Sequence, residues 1–111
     1  MAALIQRYGV YWVCLDPTTR HEVTKIRPCV VVSMDEMNQG SGMAVVCPLT
    51  SKLHPQWRSR LQFDCAGKPA EIMVDQIRAV SANRFGKKIG SLSPEDAETL
   101  RGLIARMYAM P

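Results

Sequence analysis

The sequence predicts an α+β domain, mainly β, in which several short strands make a small twisted barrel or half-barrel backed by one C-terminal helix. Three observations point there. Short runs rich in β-formers recur along the chain and stop at turn residues. The last stretch, from Ser93 onward, switches to helical spacing behind a clear helix start. The chain has 111 residues, 47% hydrophobic and 6% aromatic, which is enough for one aliphatic core and one domain over residues 1–111.

The elements follow in order. Val10-Tyr11-Trp12-Val13-Cys14-Leu15 reads as a strand after Gly9 and stops at the turn signal Asp16-Pro17. A polar stretch, Thr18 to Arg27, leads to Pro28 and the apolar run Cys29-Val30-Val31-Val32-Ser33. Its composition is that of a buried strand. Met34 to Gly42 reads as a connector, and Met43–Cys47 as a third strand ended by Pro48. Leu61-Gln62-Phe63-Asp64 alternates as a half-exposed strand does. Gly67-Lys68-Pro69 reads as a turn. Glu71-Ile72-Met73-Val74 reads as a strand that delivers Asp75-Gln76 at its end. Ile77–Val80 prolongs that edge, and Lys88-Ile89-Gly90 closes the strand-rich part.

The terminal helix has the strongest local signal. Ser93 is placed to cap it, Pro94 suits the first helical position, and Asp96 lies three residues past the cap. Glu95, Asp96 and Glu98 favour the positive end of the helix dipole, and Arg101 and Arg106 come later. Ala97, Leu100, Leu103, Ile104, Met107 and Tyr108 share one face, which should cover the sheet.

The formal net charge of +4 leans mildly towards an anionic partner such as nucleic acid. Cys14, Cys29, Cys47 and Cys65 include no Cys-x-x-Cys pair, so they read as free thiols in a reducing cytoplasm rather than zinc ligands. No metal or cofactor is expected. The apolar run Met1–Ile5 is too short for a signal-peptide core, and nothing approaches a membrane span. Phosphate-loop, dinucleotide, zinc-protease and serine-hydrolase motifs are absent.

Polar residues instead gather at the ends of apolar runs. His21, Glu22, Lys25 and Arg27 precede the second, Thr50 and Ser51 follow the third, and Asp75, Gln76 and Arg78 follow the fifth. Strand ends of a small barrel can converge on one rim. Metal-free RNA cleavage needs a base for the ribose 2′-hydroxyl, a cation for the phosphorane and an acid for the leaving 5′-oxygen. Arg27 suits the cation role because guanidinium matches phosphate oxygens two-pronged and stays charged. His21 or Glu22 suits proton transfer, and Thr50 can donate a hydrogen bond to a phosphate oxygen. Each also has a plainer reading: Arg27 as a solvated charge, His21 as a surface histidine, Thr50 and Ser51 as turn residues, Asp75 as a cap or a partner of Arg78. Trp57, in the basic loop Lys52–Arg60, either stacks on a base or packs on its own loop.

Read in order, the segments resemble the MazF/PemK toxin family. The matching pieces are Gly9-Val10-Tyr11-Trp12-Val13, Leu15-Asp16-Pro17-Thr18, His21-Glu22 and Lys25–Ser33. They continue with Asn38, Val45–Ser51, Val74-Asp75-Gln76-Ile77-Arg78 and Arg84–Gly90. The resemblance implies an SH3-like small barrel of the CcdB/MazF-like kind with a C-terminal helix, assembled as a homodimer. It implies a cytoplasmic endoribonuclease that cuts single-stranded RNA at short motifs and leaves a 2′,3′-cyclic phosphate. It also implies a cognate antitoxin whose acidic disordered segment covers the RNA groove. By position, Arg27 and Thr50 match the family's catalytic pair, and Glu22, His21 and Asp75 match further catalytic positions. Lys25, Ser51, Lys52, Arg58, Arg60, Gln76 and Arg78 are expected at the RNA, with Lys87 and Lys88 adding positive charge. Two departures stand out: Arg20 where the first loop often has glycine, and Met73 where PemK-like members carry an arginine before Asp-Gln. Rival readings are a CcdB-like DNA-gyrase poison and a non-catalytic RNA-binding barrel.

Overall fold

The computed structural model describes residues 4–16 and 25–109, with backbone alone for Asp16 and Lys25. It contains seven strands: β1 (Gly9–Asp16), β2 (Lys25–Val31), β3 (Met43–Thr50), β4 (Arg60–Cys65), β5 (Lys68–Met73), β6 (Arg78–Ser81) and β7 (Phe85–Ser91). A short helix α1 (Asp35–Gly40) precedes β3, and α2 (Pro94–Tyr108) ends the chain. The strands run β4-β5-β3-β2-β1-β7, and β6 pairs with β3 off that path. All pairings are antiparallel. The result is the curled, mainly β half-barrel with a C-terminal helix that the sequence predicts.

β3 joins the two parts of the sheet. Met43–Val46 pair with β6, Val46–Pro48 pair with β2, and its last two residues pair with β5. It does not stop at Pro48. Along one edge of β3 the partner changes from β6, which ends at Val46, to β5, which begins at Leu49, while on the other edge Pro48 faces Cys29 of β2. A proline has no N–H to leave unsatisfied, which makes it a suitable residue for that exchange.

β2 likewise begins earlier than the apolar run suggests. Its ladder to β1 takes in Lys25, Ile26, Arg27 and Pro28, so Arg27 lies within a strand rather than in a polar loop. Helix α1 falls where a connector is expected, because six residues are too few to display a period. It is tied down locally. Asp35 accepts from the Arg7 backbone N–H at 2.8 Å, and buried Asn38 donates to the Ser33 carbonyl at 3.0 Å. The β4–β5 turn is Ala66-Gly67, both with positive φ (53° and 87°), as a two-residue hairpin of this twist requires. Lys68 and Pro69 therefore open β5 rather than finish a turn.

Alternation along β1–β3 buries both sheet faces. One cluster holds Tyr11, Val13, Cys29, Val31, Val46 and Val80. The other holds Val10, Val30, Cys47, Leu49, Ile72 and Val74, and α2 packs on it through Ala97, Leu100 and Leu103. Ser93 caps α2 as expected, accepting from the Asp96 N–H at 3.1 Å. Tyr108, at the far end, donates to the Val74 carbonyl at 2.7 Å. That bond joins the helix to the 3-10 turn Val74–Gln76 that carries Asp75.

Candidate active site

The register of the sheet brings distant polar residues together. Arg27 on β2 faces Val13 on β1. Extending the Cys29–Pro48 register by two residues places Arg27 opposite Thr50. Thr50 faces Glu71 on β5, and Glu71 faces Gln62 on β4. One rung of the sheet runs Thr50, Glu71, Gln62, and the extended β2 register brings Arg27 to its Thr50 end. The Arg27 guanidinium reaches across to β3 and donates to the Leu49 carbonyl at 3.3 Å, which holds it beside Thr50. Thr50 Oγ1 accepts from the Lys52 backbone N–H at 3.1 Å, and its own hydroxyl proton remains available to a ligand.

Arg27, Thr50 and Ser51 line a cavity of about 640 Å³. Its other walls include Trp12, Ile26, Pro28, Leu49, Ile89 and Lys68. Trp12 and Ile26 are both substantially exposed. The cavity is therefore a mainly apolar cleft with a guanidinium, two hydroxyls and an ammonium around it, in the size range of a small-molecule or nucleotide site.

A second polar cluster sits on the other side of Thr50. Glu71 is 0% exposed yet charged. Its carboxylate accepts from the Gln62 amide at 2.8 Å, from Arg60 at 3.0 Å and from the backbone N–H of His54. Burial pushes its pKa up, but those three donors and the Arg60 charge outweigh it and hold the carboxyl below its ordinary value. Arg60 also binds Asp75 through Nε at 2.9 Å, and its side chain is only 7% exposed. Asp75 is thus paired with Arg60, not with Arg78. Trp57 is stacked on the His54 ring at 3.9 Å, and the Arg60 guanidinium lies 4.6 Å from its centre. The ring packs on its own loop through these two neighbours and stays partly exposed.

The remaining expected residues are spread around these two clusters. Ser51, Lys52 and Arg58 are exposed on the segment after β3. Gln76 is exposed in the 3-10 turn, and Arg78 is exposed on β6 opposite Val46. Lys25 pairs with Asp16 through the β1–β2 ladder. His21 and Glu22 lie outside the described residues. All four cysteines are free. Burial pushes the Cys29 and Cys47 thiols up to about 12, so neither offers a thiolate. The charges of Arg27 and Arg78 pull Cys29 the other way, but burial outweighs them. Among the described residues no group of three or more His, Cys, Asp or Glu could hold a metal ion. No helix among them is long and apolar enough to cross a membrane.

Sequence reasoning did not single out Glu71, Gln62, Trp12 or Lys68 as site residues. Glu71 carries the one usable signal, an acidic residue at the head of the apolar run Ile72-Met73-Val74. The pairing with Arg60 depends on strand register, which the sequence does not display.

Comparison with known proteins agrees with this fold. Structures of similar shape include MazF from Deinococcus radiodurans (TM-score 0.80, 19% identity, 98% of this chain and 100% of that chain). They also include the Mycobacterium tuberculosis toxin MazF-mt6 (TM-score 0.78, 16% identity, 93% and 98%). A Deinococcus radiodurans MazE–MazF complex contains another (TM-score 0.83, 17% identity, 99% and 100%). At these identities the likeness speaks for the fold. A protein named Endoribonuclease MazF, from Staphylococcus saprophyticus, is 26% identical over 109 residues, covering 91% of this chain and 88% of that one. Residues 6–108 match the family described as PemK-like, MazF-like toxin of type II toxin-antitoxin system, and the chain belongs to that family.

Proposed function

We propose that the chain is a cytoplasmic endoribonuclease toxin that cuts single-stranded RNA without a metal ion, acts as a homodimer and is neutralised by a cognate antitoxin. The observation that carries this reading is Arg27, bonded to the Leu49 carbonyl next to Thr50, lining one cleft with it in a chain of the toxin family.

The chemistry follows from that placement. Arg27 and Thr50 hold the non-bridging oxygens of the scissile phosphate. A base takes the proton of the ribose 2′-hydroxyl, and O2′ attacks phosphorus. The bond to the 5′-oxygen breaks, and that oxygen takes a proton from an acid. The products are a 2′,3′-cyclic phosphate and a 5′-hydroxyl end. Charge accumulates on the phosphorane oxygens, where preorganised donors contribute most. His21, Glu22 and Asp75 are the candidates for proton transfer. Exposed Lys52, Arg58, Gln76 and Arg78 line the approach for the flanking phosphates, with Lys25 and Ser51 beside the pair. The apolar cleft with Trp12 suits unstacked bases, which is the form in which RNA sequence is read. A relative named an endoribonuclease and a solved complex with the antitoxin MazE support the enzyme and its inhibitor.

One experiment tests the mechanism. The cut is first mapped on a long mixed-sequence RNA. An oligonucleotide carrying that site, with a single 2′-deoxy nucleotide 5′ to the bond, should then bind nearly as well and not be cut. EDTA should leave cleavage of the all-ribose oligonucleotide unchanged. Cleavage of the deoxy bond, or its loss with EDTA, would replace this mechanism with a metal-dependent one.

A further inference from the structure

The geometry points to Glu71 as a positioning residue that sets RNA sequence selectivity by fastening both ends of the 54–60 segment beside Thr50; this rests on the ribonuclease reading above.

Residues 51–59 connect β3 to β4 and carry Lys52 and Arg58, both exposed. A segment of this kind, rich in cations and lacking long-range strand partners, is expected to be loose. Here it is not. The His54 backbone N–H and the Arg60 guanidinium both end on the Glu71 carboxylate, so one buried group holds the segment at both ends. Between the ties, the Trp57 N–H bonds the His54 carbonyl at 2.9 Å, and the Arg60 N–H bonds the Trp57 carbonyl at 3.3 Å. The Trp57 ring lies against both the His54 ring and the Arg60 guanidinium. The Val74 N–H then takes the Ser59 carbonyl at 3.1 Å, which ties the segment to the turn bearing Asp75. Asp75 receives Arg60 Nε from the same side.

The position of the anchor gives it a role in the reaction. Glu71 is the cross-strand neighbour of Thr50. Whatever fixes Glu71 fixes the distance from the Thr50 hydroxyl to Arg58 and to Asp75. Burying a carboxylate costs stability unless donors surround it, and hydrophobic residues at this strand position would pack without that cost. The full set of donors therefore does what an apolar side chain cannot do, namely hold a polar segment in one conformation. Arg60 serves this network rather than the RNA, since two carboxylates take its guanidinium and its side chain is 7% exposed. Selectivity between RNA motifs is a difference in transition-state binding, and it requires a reading surface that does not adapt to each base.

The test compares the full-length wild type with Glu71→Gln, which keeps the shape and removes the charge, and Arg60→Gln, which releases one end and leaves Glu71 with Gln62 and His54. The primary readout is the ratio of kcat/KM for the mapped best site to that for each single-base variant of it. A purely structural loss lowers the folded fraction and scales all substrates equally, leaving that ratio unchanged. Release of the reading segment lowers the ratio, by about tenfold for at least one position. The second readout needs no activity: Trp57 fluorescence in a Trp12→Phe background, where both variants should give a red-shifted, less quenched emission. A wild-type ratio together with wild-type Trp57 emission in either folded variant overturns the inference. If the wild type cuts no RNA, the ribonuclease reading fails. The emission then decides by itself whether Glu71 fixes the segment, and unaltered emission overturns that as well.

Discussion

Arg27 is the residue whose chemistry is least replaceable. Its guanidinium is held beside Thr50 by the Leu49 carbonyl, and among the described residues no carboxylate pairs with it, which leaves its charge for phosphate. Arg27→Ala should lower kcat by about 10²–10³, the usual cost of losing one preorganised donor to a developing oxyanion. Arg27→Lys should recover little of that, since an ammonium cannot reproduce the fork. Single-turnover cleavage of the mapped site checks both, and wild-type rates in either variant would move the phosphate site elsewhere. Glu71 makes a different, pH-dependent contribution. Its folded pKa lies below the ordinary glutamate value of 4.5, so its ionised form stabilises the fold above that value. That contribution is lost as the pH falls below 4.5 and through the lowered folded value. Glu71→Gln should be less stable at neutral pH and should lose stability less steeply in acid. Urea midpoints measured from pH 7 downward test this, and parallel slopes for the two proteins would refute it.

At the scale of elements, α2 supports the site from behind, and β3 carries Thr50 into it. α2 buries Leu100 completely against the sheet, and Tyr108 holds the turn that bears Asp75. Leu100→Ala should cost about 2–5 kcal/mol, a lost side chain plus its cavity. Ser93→Ala should cost about 1 kcal/mol through the lost cap. Chemical denaturation gives both values. Activity per folded molecule should be unchanged for Ser93→Ala, whose cap lies at the opposite end of the helix from Tyr108. The helix was legible because cap, proline and apolar period all agree locally. β3 was legible only in part. A proline after an apolar run signals an end, and nothing local says that a new partner, β5, takes over where β6 leaves.

Across the whole molecule, the five strands β7-β1-β2-β3-β6 wrap one buried cluster, while β3, β5 and β4 fold over the other with α2. The candidate site lies where the two parts share β3, so its residues come from strands far apart in the chain. Cations from both parts, Arg27, Lys52, Arg58 and Arg78 among them, should make RNA binding strongly salt-dependent. Each phosphate contact on a single strand adds about 0.7 to the slope of log affinity against log salt. Arg58→Ala should reduce that slope by about one contact, whereas Arg60→Gln should leave it nearly unchanged, because Arg60 is already neutralised by two carboxylates. Fluorescence anisotropy with a non-cleavable deoxy oligonucleotide at several salt concentrations distinguishes the two.

The sequence alone determined what local physics decides: the strand-forming runs, the capped helix, the aliphatic core and the order of motif pieces that marks the family. It also carried Arg27, Thr50 and Asp75 as candidates, since polar residues beside apolar runs are visible in one dimension. Only the tertiary structure decided which of them meet. A cross-strand contact depends on register, and register is set jointly by all the strands that share a core. Arg60 and Asp75 are partners because β4 and β5 pair so that Arg60 stands opposite Met73, where the family pattern suggests an arginine. The guanidinium near Asp75 thus comes from the neighbouring strand, and no reading of residues 73–78 alone could have supplied it. Glu71 is the extreme case. In sequence it is one acidic residue before a short apolar run, and only folding, by stripping its water and replacing it with three donors, turns it into an anchor.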